Sequence, residues 1–481
     1  MAMGSAQVAE VSRARAWLAF IVLLAGGFLP PLDFFIVNVA LPSIRDGLGA
    51  NPAQTALIIS GYASGYAVFL VTGGRLGDLY GRKPLFVLGM LGFTGASAFC
   101  GFAPTAGVLV LGRVVQGLAA SLLLPQVLGA IRALFDDQRE LARAMTFYGV
   151  MMGLASVTGQ FLGGVLVAWS PFGLDWRTVF LVNLPIGATA ICAALWLVPE
   201  TSSTSRPRLD LVGAVLMSAM LACLVVPLAE GRERGWPGWL IAMLAGSPFL
   251  IVAFLGYERR LARFGGMPIL DMRLFRIASF RRGAMVAALF FFTTAFYLLF
   301  GLYNQEGRGT GPLWTGLAIV PYGAGLFVGP FASGWLSRWW RPRLLGLGMA
   351  IEVCGYALIA LSVGLSASPA VLAVVTFVTG FGQGIAMPRL FNTALEDVPP
   401  AQAGVAAGII NSLLQIGAAV SNAAVVSLFF ALLGAGVGEA AYGRALGLAM
   451  ISLVAALGLA CVIAWPARDR ARHSAGLGGA N

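Results

Sequence analysis

The sequence predicts an all-α protein that crosses a membrane many times. Three observations predict it. The 481 residues are 59% hydrophobic and 11% charged, with a mean hydropathy of +0.86. A soluble domain carries about a quarter charged residues. Apolar runs of about twenty residues, the length that spans a bilayer as a helix, follow one another with no long polar segment between them. The basic residues gather on alternate connections, as they do where cytoplasmic loops hold the excess of Lys and Arg.

Fourteen runs qualify, at about 17–41, 53–76, 85–103, 106–130, 140–168, 176–198, 209–230, 238–261, 280–304, 312–336, 343–365, 369–394, 402–433 and 441–466. The first begins behind Arg13 and Arg15. It is too long for a signal-peptide core, so it counts as a span. With the N-terminus inside, 24 of the 31 basic residues fall on the cytoplasmic side and six outside, and Arg113 lies within a span. A miscounted span would scramble that alternation, so fourteen spans with both termini cytoplasmic are expected. Two basic links, 200–208 and 257–282, bracket the seventh and eighth spans. The expected organisation is a six-helix bundle (1–200), two inserted helices with a basic loop (201–275), a second six-helix bundle (276–466) and a cytoplasmic tail (467–481). Paired bundles of this kind are the plan of many secondary transporters.

The net charge of +11 would suggest a nucleic-acid partner in a soluble chain. Its placement in cytoplasmic loops accounts for it instead, and no nucleic acid is expected. The five cysteines all fall in apolar runs with no CxxC, so neither a disulfide nor a zinc site is expected. His473, in the tail, is the one histidine. Short loops and spans without histidine argue against an enzyme, and no metal or cofactor is expected.

Charged and polar residues inside the spans are the candidates for function. Asp33 lies within the first span, where an acid costs roughly 2.5–3.5 kcal/mol on insertion scales and is read as functional by default. An acid so placed can take up and release a proton. Arg113 lies in the fourth span. Counted from the outer helix ends, both residues are about 11–12 Å deep at 1.5 Å per residue, so they are expected to pair. The stretch 73–84 joins the second and third spans. Gly73, Gly74 and Gly77 allow close helix approach, Gly81 suits a turn with positive φ, and Asp78 can meet a positive helix end. Arg82 and Lys83 mark the cytoplasmic side. The fifth span carries Gly149, Gly153, Gly159, Gly163 and Gly164, with two GxxxG spacings that favour close packing, and a seam between two bundles is expected there. Asn411, Gln415 and Asn422 share one face of the thirteenth span; lining a cavity and bonding another helix fit equally well. Two roles fit Glu352 in the eleventh span, a second titrating group or the partner of a cytoplasmic Arg. Phe34 and Tyr62 are candidates to line a pocket for flat lipophilic compounds.

These residues together resemble the Major Facilitator Superfamily, in particular its fourteen-spanner drug:proton antiporters. Gly74, Asp78, Gly81, Arg82 and Lys83 resemble the superfamily's motif between helices two and three, with Leu79 where an Arg is common. Stretch 32–42 looks like the first-helix motif of these antiporters. Stretch 109–117 looks like the fourth-helix motif, whose Arg, here Arg113, is associated with proton transfer. Trp176, Arg177, Phe180, Asn183, Pro185 and Gly187 resemble the start of helix six. The fifth-helix antiporter motif is matched at its glycines, with Gln160 where that motif has Pro. The resemblance implies a multi-pass protein of the bacterial cytoplasmic membrane, working as a monomer and by alternating access. It would export hydrophobic or cationic compounds against an inward flow of protons. Asp33 and Arg113 would couple protons, the Asp78 stretch would gate, and the helix-five residues Gly153, Gly159, Gln160, Gly163 and Gly164 would form the seam. A proton symporter or facilitator for a small metabolite is the alternative.

Overall fold

The computed structural model describes residues 13–135, 137–200, 210–231, 234–264, 272–340, 343–399 and 402–465. The tail, the 201–209 link and the 265–271 segment lie outside them. The side chains of Asp78, Asn411 and Gln415 also lie outside the described ones. Among the described residues there is no strand, as a chain short of internal partners for open sheet edges in lipid requires.

The helices of the first half are α1 (Arg13–Leu48), α2 (Pro52–Tyr80), α3 (Arg82–Gly101), α4 (Ala106–Leu134), α5 (Gln138–Trp169), α6 (Asp175–Leu197), α7 (Leu211–Glu230) and α8 (Gly238–Arg263). The second half holds α9 (Ala278–Gly307), α10 (Pro312–Ser337), α11 (Leu344–Gly364), α12 (Pro369–Leu395), α13 (Ala403–Leu433) and α14 (Glu439–Ala464). Twelve of the described helices are long and apolar enough to cross a membrane. Helices α2 and α7 hold shorter apolar stretches, Leu57–Leu70 and Val212–Leu228. The fourteen-span count and the sides of the termini stand as expectations.

Local chemistry sets the helix ends. Asn51 caps α2 by accepting from the Gln54 N–H at 2.8 Å, and the Gln54 side chain accepts from the Asn51 N–H at 3.1 Å. Pro52 follows at the first helical position, where its missing N–H costs nothing. Gly81, at φ 95°, then turns the chain from α2 into α3. Thr105 caps α4, Asp137 caps α5 and Asp210 caps α7, each accepting from a backbone N–H of the first turn. Helix α1 carries Pro30, Pro31 and Pro42 in its interior. The prolines donate no backbone hydrogen bond, so α1 is weakly knit in its middle, next to Asp33.

The chain forms two compact units, Met1–Ile269 and Leu270–Asn481. In the first, α1 packs on α5 and α6, α2 on α4, and α3 on α4 and α6. The inserted pair packs together, and α7 also lies on α2. In the second unit α11 packs on α12 and α14, α10 on α12, and α9 on α12, α13 and α14.

Candidate functional site

Asp33 and Arg113 meet in the first unit. Both side chains are fully buried, and Arg113 Nη1 donates to Asp33 Oδ2. The depth match read from the helix ends therefore describes a real ion pair. Four helices besides α1 build the site around it. From α4, Gln116 Nε2 donates to Asp33 Oδ1 at 3.0 Å, and Gln116 Oε1 accepts from Arg113 Nη1 at 2.8 Å. From α6, Asn183 Nδ2 donates to Asp33 Oδ1 at 2.7 Å. From α3, Ser97 Oγ accepts from Asn183 at 2.9 Å and from Gln116 at 3.1 Å, and donates to the Phe180 carbonyl at 3.0 Å. From α2, the Ile58 carbonyl accepts from Arg113 Nε at 3.0 Å. The Tyr62 ring lies 4.3 Å from the guanidinium carbon, a cation–π contact strengthened by the dry surroundings.

The arrangement is nearly self-satisfied. Both Asp33 oxygens accept hydrogen bonds, as a buried carboxylate requires. Arg113 Nη2 and Asn183 Oδ1 have no hydrogen-bond partner among the described residues. One spare donor and one spare acceptor thus sit on two of the three side chains that hold Asp33. A change in its protonation can be answered there by new bonds.

Sequence reasoning singled out Asp33 and Arg113 because ionised groups are rare in spans. It did not select Gln116, Ser97 or Asn183 for the site. Gln116 had a signal: it lies three residues after Arg113, on the same helix face. Ser97 had none.

Phe34 and Tyr62 stack in a tilted pair at 5.9 Å, and Tyr62 stacks on Tyr66 at 6.4 Å. The Tyr62 hydroxyl donates to the Pro30 carbonyl at 2.9 Å, pinning α2 to the proline-rich part of α1. The helix-five glycines do different things. Cβ atoms at Gly159 and Gly163 would lie 2.5 Å and 2.7 Å from the Leu32 and Ile36 carbonyl oxygens. Both glycines therefore press on α1, either side of Asp33. Gly149 meets nothing within 4 Å, so its GxxxG spacing, expected to mark a close approach, makes none at that end. Gln160 is buried between the two pressing glycines, and Gly153 and Gly164 lie on the same helix.

The stretch 73–84 is tied to α4 and α6. The Gly73 carbonyl accepts from Gln126 Nε2 at 2.7 Å, and Arg82 donates to the Gly129 carbonyl. A Cβ at Gly74 would touch Pro125 at 3.3 Å. Lys83 Nζ donates to the Leu195 carbonyl at 2.8 Å, in the last turn of α6, where a cation suits the helix dipole.

Glu352 is fully buried on α11, and neither carboxyl oxygen has a hydrogen-bond partner among the described residues. The expected alternative of a partner Arg is therefore not what forms. With no exposed surface, Glu352 does not line an open cavity in this structure either. Asn422 is half-buried on α13.

Twelve described helices long and apolar enough to cross a membrane, with an ion pair buried among them, are the build of a multi-pass membrane protein. The profile of the Major Facilitator Superfamily matches residues 23–422, and the chain belongs to that family. It is 38% identical to the probable actinorhodin transporter of Streptomyces coelicolor, over 88% of this chain and 74% of that protein. It is 32% identical to the multidrug resistance protein Stp of Mycobacterium tuberculosis, over 87% and 76%. It is 33% identical to the puromycin resistance protein pur8 of Streptomyces alboniger, over 85% and 81%. Among solved structures, a human organic anion transporter superposes with a TM-score of 0.62 at 17% identity, covering 92% of this chain and 99% of that one. That likeness speaks to the fold alone.

Proposed function

We propose that the protein is a proton-coupled exporter of antibiotics or related hydrophobic and cationic compounds, acting by alternating access in a bacterial cytoplasmic membrane. The observation that carries this reading is the Asp33–Arg113 pair, an acid and a base buried together within the spans and tied to five helices. The names of the relatives, an actinorhodin transporter and multidrug and puromycin resistance proteins, support the substrate class.

The geometry supports this coupling as follows. A proton arriving on Asp33 cancels its charge, and Arg113 loses its counter-ion. Arg113 is still held by the Ile58 carbonyl, by Gln116 and by the Tyr62 face. The tie between α1 and α4 weakens, while α4 stays bound to α2. The carbonyls of Leu32 and Ile36, flanking Asp33, rest on Gly159 and Gly163, so any shift of α1 passes directly to α5. Release of the proton on the other side restores the pair and returns α1. Each charge carried through 100 mV contributes about 2.3 kcal/mol, enough to sustain a concentration gradient of roughly fifty-fold.

The test uses energised inside-out vesicles and a lumenal pH dye. Actinorhodin, puromycin and ethidium are added in turn. Compound-triggered proton efflux that disappears in Asp33→Asn supports the reading. Export that proceeds unchanged in Asp33→Asn, or after the proton gradient is collapsed, overturns it. Uptake in place of export would favour a symporter.

A further inference from the structure

The second unit holds an acid whose surroundings differ from those of Asp33. Glu352 lies where α11 and α12 touch backbone to backbone. A Cβ at Gly382 would lie 2.6 Å from the Glu352 nitrogen, and one at Gly348, a turn away, would lie 2.8 Å from the Ala386 nitrogen. Backbone rests on backbone here, and the carboxyl is sealed in. Beside it stands a cluster of polar side chains that satisfy one another. Tyr322 Oη donates to Gln383 Oε1 at 2.8 Å and lies 3.3 Å from the Tyr356 hydroxyl. Tyr297 reaches the same Gln383 oxygen at 3.5 Å, and Gln383 Nε2 reaches Thr293 at 3.5 Å. Phe296 packs on both Tyr322 and Tyr356, closing the cluster with an apolar lid.

The titratable groups facing Glu352 are the Tyr322 and Tyr356 phenols, from α10 and from the next turn of α11. On α12 the basic residue is Arg389, two turns from Gly382 and bonded to Ser333. On α14, Glu439 and Arg444 lie in the first two turns, where Glu439 pairs with Arg308, the residue that follows α9. No cation therefore reaches the Glu352 carboxyl among the described residues, and the two phenols make no hydrogen bond to it. An ionised carboxylate so enclosed would have neither counter-ion nor donor, the costliest state for a buried charge. A hard metal ion needs several oxygen ligands around it, and no polar partner joins the Glu352 carboxyl oxygens among the described residues. A proton needs the carboxylate alone.

We infer that Glu352 is a second proton-binding site, enclosed as a neutral carboxylic acid in this structure and exchanging its proton with water when α11 and α12 part at Gly348 and Gly382. The proton leaves to a water molecule that enters the opened contact, and a carboxylate remains until the contact closes on a new proton. Use of this proton in export rests on the proton-coupled reading above; the site itself does not.

Infrared spectroscopy of the purified protein in lipid tests it without substrate or gradient. At neutral pH the wild type should show a carbonyl band of a protonated carboxylic acid that is missing in Glu352→Gln and displaced in Glu352→Asp. Transfer to D2O should shift the band to its deuterated position while the protein stays folded. A spectrum in which neither variant alters that band shows an ionised Glu352 and overturns the inference. So does a band that never exchanges in the folded protein. Should the Gln variant fail to fold, the Asp variant decides alone. Failure of proton-coupled export in the vesicle assay would leave these spectra unaffected, so the two readings fail separately.

Discussion

At the residue scale, the candidate site turns on one buried charge answering another. Asp33→Ala should cost about 3–5 kcal/mol, because Arg113 is left ionised in a dry site. Thermal unfolding in detergent measures this. The double variant Asp33→Asn with Arg113→Gln should be more stable than the sum of the single losses predicts, yet inactive in export. Strict additivity would mean that the pair is not a coupled unit. Asn183→Ala removes bonds to both Asp33 and Ser97 and should cost about 1–3 kcal/mol. The sequence made this site half legible. Asp33 and Arg113 stood out because ionised groups are expelled from lipid unless they are used. Gln116, Ser97 and Asn183 are neutral, and spans tolerate neutral polar residues for many reasons, so their convergence on one carboxylate became visible only in three dimensions. The isolation of Glu352 was hidden for the same reason: a partner, or the lack of one, belongs to neighbouring helices.

At the element scale, α5 bears on α1 through the α5 glycines. Gly159→Ala should force α1 away at Leu32, cost about 1–3 kcal/mol and abolish export, since the displaced segment carries Asp33. Gly149→Ala meets open space and should leave stability within about 0.5 kcal/mol of wild type and export unchanged. Parallel measurements on the two variants separate a general demand for glycine in α5 from contact at one face. Sequence spacing could not make that distinction, because GxxxG gives the face and not its neighbour. The Gly81 turn was more legible, since a positive φ there is local chemistry that needs no tertiary information.

At the scale of the whole molecule, hydropathy and basic residues were enough for the fold class, since lipid leaves a chain of this composition little besides helices. They do not by themselves fix the membrane path of the inserted pair. With fourteen spans, the turn between α7 and α8 faces outward and the Gln138 end of α5 faces inward. Single cysteines at Gly238 and Arg139 in a cysteine-free protein should then react with an impermeant maleimide from opposite sides of intact cells. Labelling of both from the same side would remove α7 and α8 from the count of spans. Gly238 accepts the change, as nothing lies within 4 Å of its Cβ position.

The contact of Lys83 with the Leu195 carbonyl has a practical corollary. Lys83 is the single lysine of the chain. Apart from the amino terminus, an amine-reactive dye has one address in the whole protein, at the junction of α3 with the end of α6. Its labelling rate would report, without mutation, how often that junction comes apart during the transport cycle.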